Sequence, residues 1–217
     1  MINVGTINDA VAEATAKCNS ALSLVAEANA LVSGNATGSG VVFNQHHCDL
    51  LIERAFMCLF ETLESYMECV FICYMLGEVG SNGNAVVRYV NPINSEHAEK
   101  ILRGKEQYID FTSRQVIIAY AEGFFQNGGP FPYLNSVSQD FEDMKKIRNK
   151  LSHVSIKSQR DFEGLVRSRV SFLPSGVSVA SFLMTSVPRQ TESFFVHYLN
   201  TTTGIITALA NPAAVTP

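Results

Sequence analysis

The chain has 217 residues, 47% of them hydrophobic and 17% charged, which is enough apolar material for a substantial core and too little charge for a disordered polyampholyte. Its net charge of −4 excludes broad, unspecific coating of nucleic acid but leaves room for a small basic site. The length suits a single domain, expected over residues 1–210, with a loose tail over 211–217.

The five cysteines, Cys18, Cys48, Cys58, Cys69 and Cys73, show neither metal nor disulfide spacing, and Cys69 and Cys73 read as packing residues of an apolar helix. An odd count without a secretion signal suits a reducing cytoplasm. His46, His47 and Cys48 lack a second ligand pair at a suitable spacing, so neither a metal nor a cofactor is expected. The apolar stretch 55–76 is interrupted by Glu61, Glu64 and Glu68, and the stretch 170–188 carries serine, glycine and two prolines. Neither makes a membrane span.

From the N-terminus, Val4, Ile7, Val11, Ala14, Cys18, Ala21, Val25, Ala28 and Val32 recur at steps of three and four. That spacing predicts a helix with a small-residue seam suited to close packing. Residues 34–40, GNATGSG, end it as a flexible linker. A second helix is expected over 44–76, apolar on most sides, with Arg54, Glu61 and Glu68 as its polar stripe. Such a helix is central in a bundle or gives one face to a partner chain.

The glycine- and asparagine-rich stretch that follows allows a short extended piece at 85–90. Asn94 or Ser95 caps a helix around 96–102, and another covers 113–125 before QNGGPFP breaks it. Ser136 and Gln139 have capping-box spacing and open a helix through Phe141, Met144, Ile147 and Leu151. Ser158 reads as the cap of the next helix, 159–169. Residues 177–187 fit either a strand or a short helix, and 191–209 reads as the last helix. The fold class is all-α, with short loops favouring antiparallel neighbours.

The run KKIRNKLSHVS, residues 145–155, is the chemical focus. Between Lys145 and Arg160 there are six basic residues and no acidic one, with Glu142, Asp143, Asp161 and Glu163 flanking the run. Val137, Phe141, Met144 and Leu151 define an apolar stripe, and Arg148 falls at its centre, where a charge is costly unless paired or used. Asn149 and His153, four apart, share another face. Arg148 and His153 are five apart, so a straight helix holds them about 140° from one another. Aiming both at one phosphate needs a kink, a helix end near Ser152, or a symmetric dimer. The plain alternatives are a basic run that complements the helix macrodipole, a surface or capping histidine, and an arginine paired with Glu61, Glu64 or Glu68.

IRNKLSH, residues 147–153, resembles the signature of the HEPN superfamily (higher eukaryotes and prokaryotes nucleotide-binding): an Arg, a polar residue, a few positions, then a His. Arg148, Asn149 and His153 match it. The segment LIERAFMCLFETLESYMECVF, residues 51–71, is similar to the long second helix of RiboL-PSP-type HEPN domains, with Glu64 and Tyr66 as the Glu-x-Tyr core. The resemblance covers roughly residues 44–170. It implies a HEPN-like antiparallel bundle, with extra N- and C-terminal helices here, usually dimeric, whose motifs meet across the interface. Many members are metal-independent endoribonucleases in toxin–antitoxin, phage-defence or RNA-processing systems, and others only bind or scaffold.

On that resemblance, His153 would serve as general base on a ribose 2′-OH or as acid on the leaving oxygen. Arg148 would hold the scissile phosphate and Asn149 would orient His153 or the phosphate. Lys145, Lys146 and Lys150 would steer the RNA backbone, and Glu64 would orient Arg148. The expected partners are RNA, a second copy of the chain, and an antitoxin or other regulatory protein, with no membrane. The competing readings are an inactive HEPN module that binds RNA or nucleotide, a dimeric protein-interaction scaffold, and a metalloenzyme on a bundle, which lacks the Glu-x-x-His pairs it needs.

Overall fold

In the computed structural model, which describes residues 5–33, 43–104 and 109–214, the chain is all-helical. The helices are α1 (Ile7–Ser33), α2 (Gln45–Leu76), α3 (Ser95–Arg103), α4 (Arg114–Phe124), α5 (Ser138–Ser152), α6 (Ile156–Val170), α7 (Val179–Met184) and α8 (Phe194–Ala210). Two 3-10 turns, Gln126–Gly128 and Phe131–Asn135, lie between α4 and α5. Among the described residues β pairing is limited to isolated bridges, two of which, Val79 with Ala85 and Arg88 with Phe125, fall in or beside the expected extended piece. No described helix is long and apolar enough to cross a membrane.

The α1 seam is buried through Ile7, Ala10, Ala14, Cys18, Ala21, Val25 and Ala28, while Val11 is only half-buried. Val4 and the linker 34–40 lie outside the described residues. Within residues 177–187, Val179–Met184 form α7, whose N-terminus carries a capping box between Ser178 and Ser181, and Ser186 makes an isolated antiparallel bridge with Ser193. The capping box expected at Ser136 does not form: its hydroxyl donates to the Tyr133 carbonyl at 2.7 Å, and α5 starts two residues later. The cap of α6 is likewise Ser155, not Ser158.

The chain divides into two compact units, and the division falls within α1, α2 and α8 and near the start of α5. The first unit comprises Met1–Ala16, Thr62–Phe141 and Thr202–Pro217. Phe71 is the hub of its core, with ring centroids 4.9 Å from both Phe125 and Phe131 and 6.0 Å from Phe111. The buried phenols of Tyr66 and Tyr74 donate to the carbonyls of Ile206 and Leu209 at 2.7 and 2.6 Å, tying α2 to the last turns of α8. Burial raises both phenols well above the usual tyrosine range. The tail is not loose at its start: Pro212 is buried, and its carbonyl accepts from Asn82 and Asn84 at 2.9 and 3.0 Å.

The second unit comprises Lys17–Glu61 and Glu142–Thr201. An aromatic chain runs through it from Phe162 to Phe182, Phe194, Tyr198 and Phe56, with the closest pair, Phe182 and Phe194, stacked at 4.5 Å. One charge is taken into this core. Asp143 on α5 is fully buried and accepts from Arg169 Nε on α6, with Lys146 Nζ 3.7 Å away. That pair clamps the start of α5 to the end of α6 and so holds the helical hairpin whose corner carries His153.

Candidate functional site at the corner between α5 and α6

The last turns of α5 assign each residue of the basic motif a different environment. Ile147 is fully buried and Leu151 half-buried, so the seam runs Phe141, Met144, Ile147 and Leu151. Arg148 is half-buried beside the seam, not at its centre. The step from Met144 can be three or four residues on a helix, and packing selects three, so the apolar residue takes the core position.

α5 ends at Ser152, and His153 is the first residue beyond it. The His153 N–H still donates to the Asn149 carbonyl at 3.0 Å, as in one more helical turn. Its own carbonyl then leaves the helical ladder, accepting from the Ser155 N–H at 3.1 Å and from the buried Ser158 hydroxyl at 2.7 Å. Ser155 caps α6 by accepting from the Ser158 N–H at 3.0 Å. Ser155 and Ser158 together therefore fix the corner, and the exposed imidazole projects from a backbone held on both sides.

Around this corner lies an open depression of about 590 Å³, lined by Asn149, Ser152, His153, Lys157, Ser158 and Asp161 among others. Its size falls within the roughly 300–1,000 Å³ of small-ligand sites. Asn149 and His153 thus share one surface. Arg148 does not line it; its Nη1 donates to Asn149 Oδ1 at 3.3 Å, so it joins the site through the asparagine. Among the described residues no carboxylate comes within 4 Å of Arg148, and Glu61 and Glu68 engage Arg54 and Arg103 instead. Glu64 belongs to the other compact unit.

The three steering lysines separate. Lys146 is drawn to Asp143, and Lys145 is half-buried with interactions of its own. Lys150 lines a second open depression together with Val154, Ile156 and Arg160. Lys157, Ser158 and Asp161 were not singled out from the sequence as site residues, although Lys157 belongs to the same acid-free run. Glu53 on α2 was also missed. Burial pushes its carboxyl up, against the opposing pull of the Ala180 N–H, Lys150 and His46. Nothing in its local sequence separates it from the other glutamates of α2.

Among the described residues no group of three His, Cys, Asp or Glu is placed to hold a metal ion. Compared with known proteins, the chain matches no family model, no curated protein and no solved structure.

Proposed function

We propose that the chain is a HEPN-type, metal-independent endoribonuclease that acts as a homodimer, in the manner of a toxin or phage-defence effector held in check by an antitoxin or other regulatory protein. The observation that carries this reading is the end of α5 at Ser152, which presents Asn149 and His153 in one open depression with Arg148 bonded to Asn149. The helix end takes the His153 carbonyl out of the α5 ladder, while Arg148 stays outside the depression.

In the proposed reaction His153 removes the proton of a ribose 2′-OH, and the 2′ oxygen attacks the adjacent phosphorus. The P–O5′ bond breaks, and the leaving oxygen takes up a proton. The products are a 2′,3′-cyclic phosphate and a 5′-OH. Arg148, which has no carboxylate partner among the described residues, binds the phosphate and offsets the charge that develops on it. Since Arg148 does not line the depression of its own His153, a second copy supplies the convergence, with each site built from both chains.

Digestion of single-stranded RNA in EDTA tests the reading. Wild type is expected to cleave and to leave the cyclic phosphate, whereas Arg148→Ala, His153→Ala and 2′-deoxy substrate give no cleavage. Mixing the two inactive variants is expected to restore part of the activity, because a mixed dimer holds one intact composite site. Cleavage that persists in His153→Ala, or that EDTA abolishes, refutes the mechanism.

The second reading, an inactive dimeric module that binds RNA or a protein partner, is favoured by one observation. Val154 and Ile156, immediately beside His153, are exposed at 108% and 75%. Two aliphatic side chains held in water at a corner suit a contact surface. A dimer in solution that binds RNA without cutting it would select this reading.

A further inference from the structure

We propose that the exposed face of α6 is a phosphate track that holds the RNA strand beyond the scissile linkage. This rests on the ribonuclease reading and adds where the substrate runs and which residues hold it.

Lys157, Arg160 and Arg167 are all exposed on α6. Steps of three and seven place them within about 80° of one another around the helix, along roughly 15 Å of its length. Among the described residues no carboxylate lies within 4 Å of any of them. The two acids that border the face leave them free: Glu163 accepts from Gln159 Nε2 at 2.7 Å, and Asp161 lines the His153 depression. In a chain of net charge −4, three unpaired cations on one helix face complement a polyanion. The basic residues held by Asp143, Lys146 and Arg169, lie off this face.

Two further observations connect the face to the site. Lys157 lines the same depression as His153, so the track is continuous with the proposed cleavage position. Gly164 sits between Arg160 and Arg167, exposed in the helix interior. Glycine is the poorest helix former after proline, and a Cβ at 164 would meet nothing within 4 Å. Among the described residues no packing requires it. A bare backbone there lets a sugar–phosphate strand approach closely.

The test measures binding in a His153→Ala background, by fluorescence anisotropy over a salt series, with a labelled single-stranded RNA of about 12 nucleotides and with a tetranucleotide. In the variant carrying Lys157→Gln, Arg160→Gln and Arg167→Gln, the slope of log K against log salt for the longer RNA is expected to flatten by about 2, from three contacts at about 0.7 each. In the His153 background the same substitutions should lower kcat/KM far more on the longer RNA than on the tetranucleotide. Lys17→Gln, Lys100→Gln and Arg189→Gln together, exposed cations elsewhere, match the change in net charge and should leave the slope unchanged. If wild type cleaves RNA but the triple variant keeps the wild-type slope and length dependence, the track is wrong and the nuclease stands. If the protein neither binds nor cleaves RNA, both fall.

Discussion

The buried ion pair between α5 and α6 yields the sharpest stability prediction. Asp143 has no exposed side-chain surface, whereas Arg169 and Lys146 retain 26% and 38% of theirs. Arg169→Met therefore leaves a carboxylate in the core without its nearest cation, with the half-exposed lysine still at 3.7 Å. Removing one member of a buried pair costs about 3–5 kcal/mol, and the remaining lysine places this case near 3. Asp143→Leu strands cations that still reach water, so about 2 kcal/mol is expected. For a chain of this size each kcal/mol lowers the melting temperature by about 2–4 °C, which puts the losses near 6–12 °C and 4–8 °C. Replacing both members, Asp143→Leu with Arg169→Met, removes the uncompensated charge and should recover at least half of the Arg169→Met loss. Thermal and urea unfolding of the three variants provides the measurement. A double variant as unstable as the sum of the two singles, or an Arg169→Met loss under about 1 kcal/mol, would refute the view that desolvation of Asp143 dominates.

Two other predictions follow from the same unit. Glu53 holds its proton to a higher pH folded than unfolded, because desolvation outweighs the Ala180 N–H, Lys150 and His46, with Asp49 adding to the rise. Its contribution to stability is complete below the ordinary carboxyl pKa of 4.5 and is lost as pH rises through the folded value. Glu53→Gln should accordingly gain on wild type as pH increases from that point toward neutrality. Urea unfolding across the range checks this, and a variant that instead loses ground overturns it. Gly164→Ala has open space for its methyl and should stabilise the protein by about 0.5–1 kcal/mol while weakening binding of the longer RNA. Equal binding by both proteins would show that nothing approaches the helix there.

Local pattern was enough to read the helices themselves. The three-and-four spacing of the α1 seam and the apolar length of α2 follow from 3.6 residues per turn, which needs no knowledge of neighbours, and α2 falls one residue from its expected start. Of the two expected caps, Asn94 and Ser95, it is Asn94 that caps α3, accepting from the His97 N–H at 2.8 Å. The spacing of Arg148, Asn149 and His153 is likewise a property of one short segment, and it placed Asn149 and His153 on one face as the structure does.

Tertiary structure decided matters in which two local choices were nearly equal or a distant residue set the outcome. Ser155 and Ser158 are both competent caps; Ser155 takes the role because α5 ends at Ser152 and the His153 carbonyl needs the Ser158 hydroxyl. Ile147 and Arg148 both fit the seam to within one position, and packing buries the one without a desolvation penalty. Asp143 was legible only as an acid flanking the basic run, and Arg169, 26 positions away, draws it into the core. The same pairing removes Lys146 from the set of available cations and leaves Lys157, Arg160 and Arg167 on α6. The sequence alone located the helices and the basic run between Lys145 and Arg160, because motif and periodicity are local. Which of those charges is free to meet a ligand was settled only by the fold, because the partner that neutralises a charge is chosen in space.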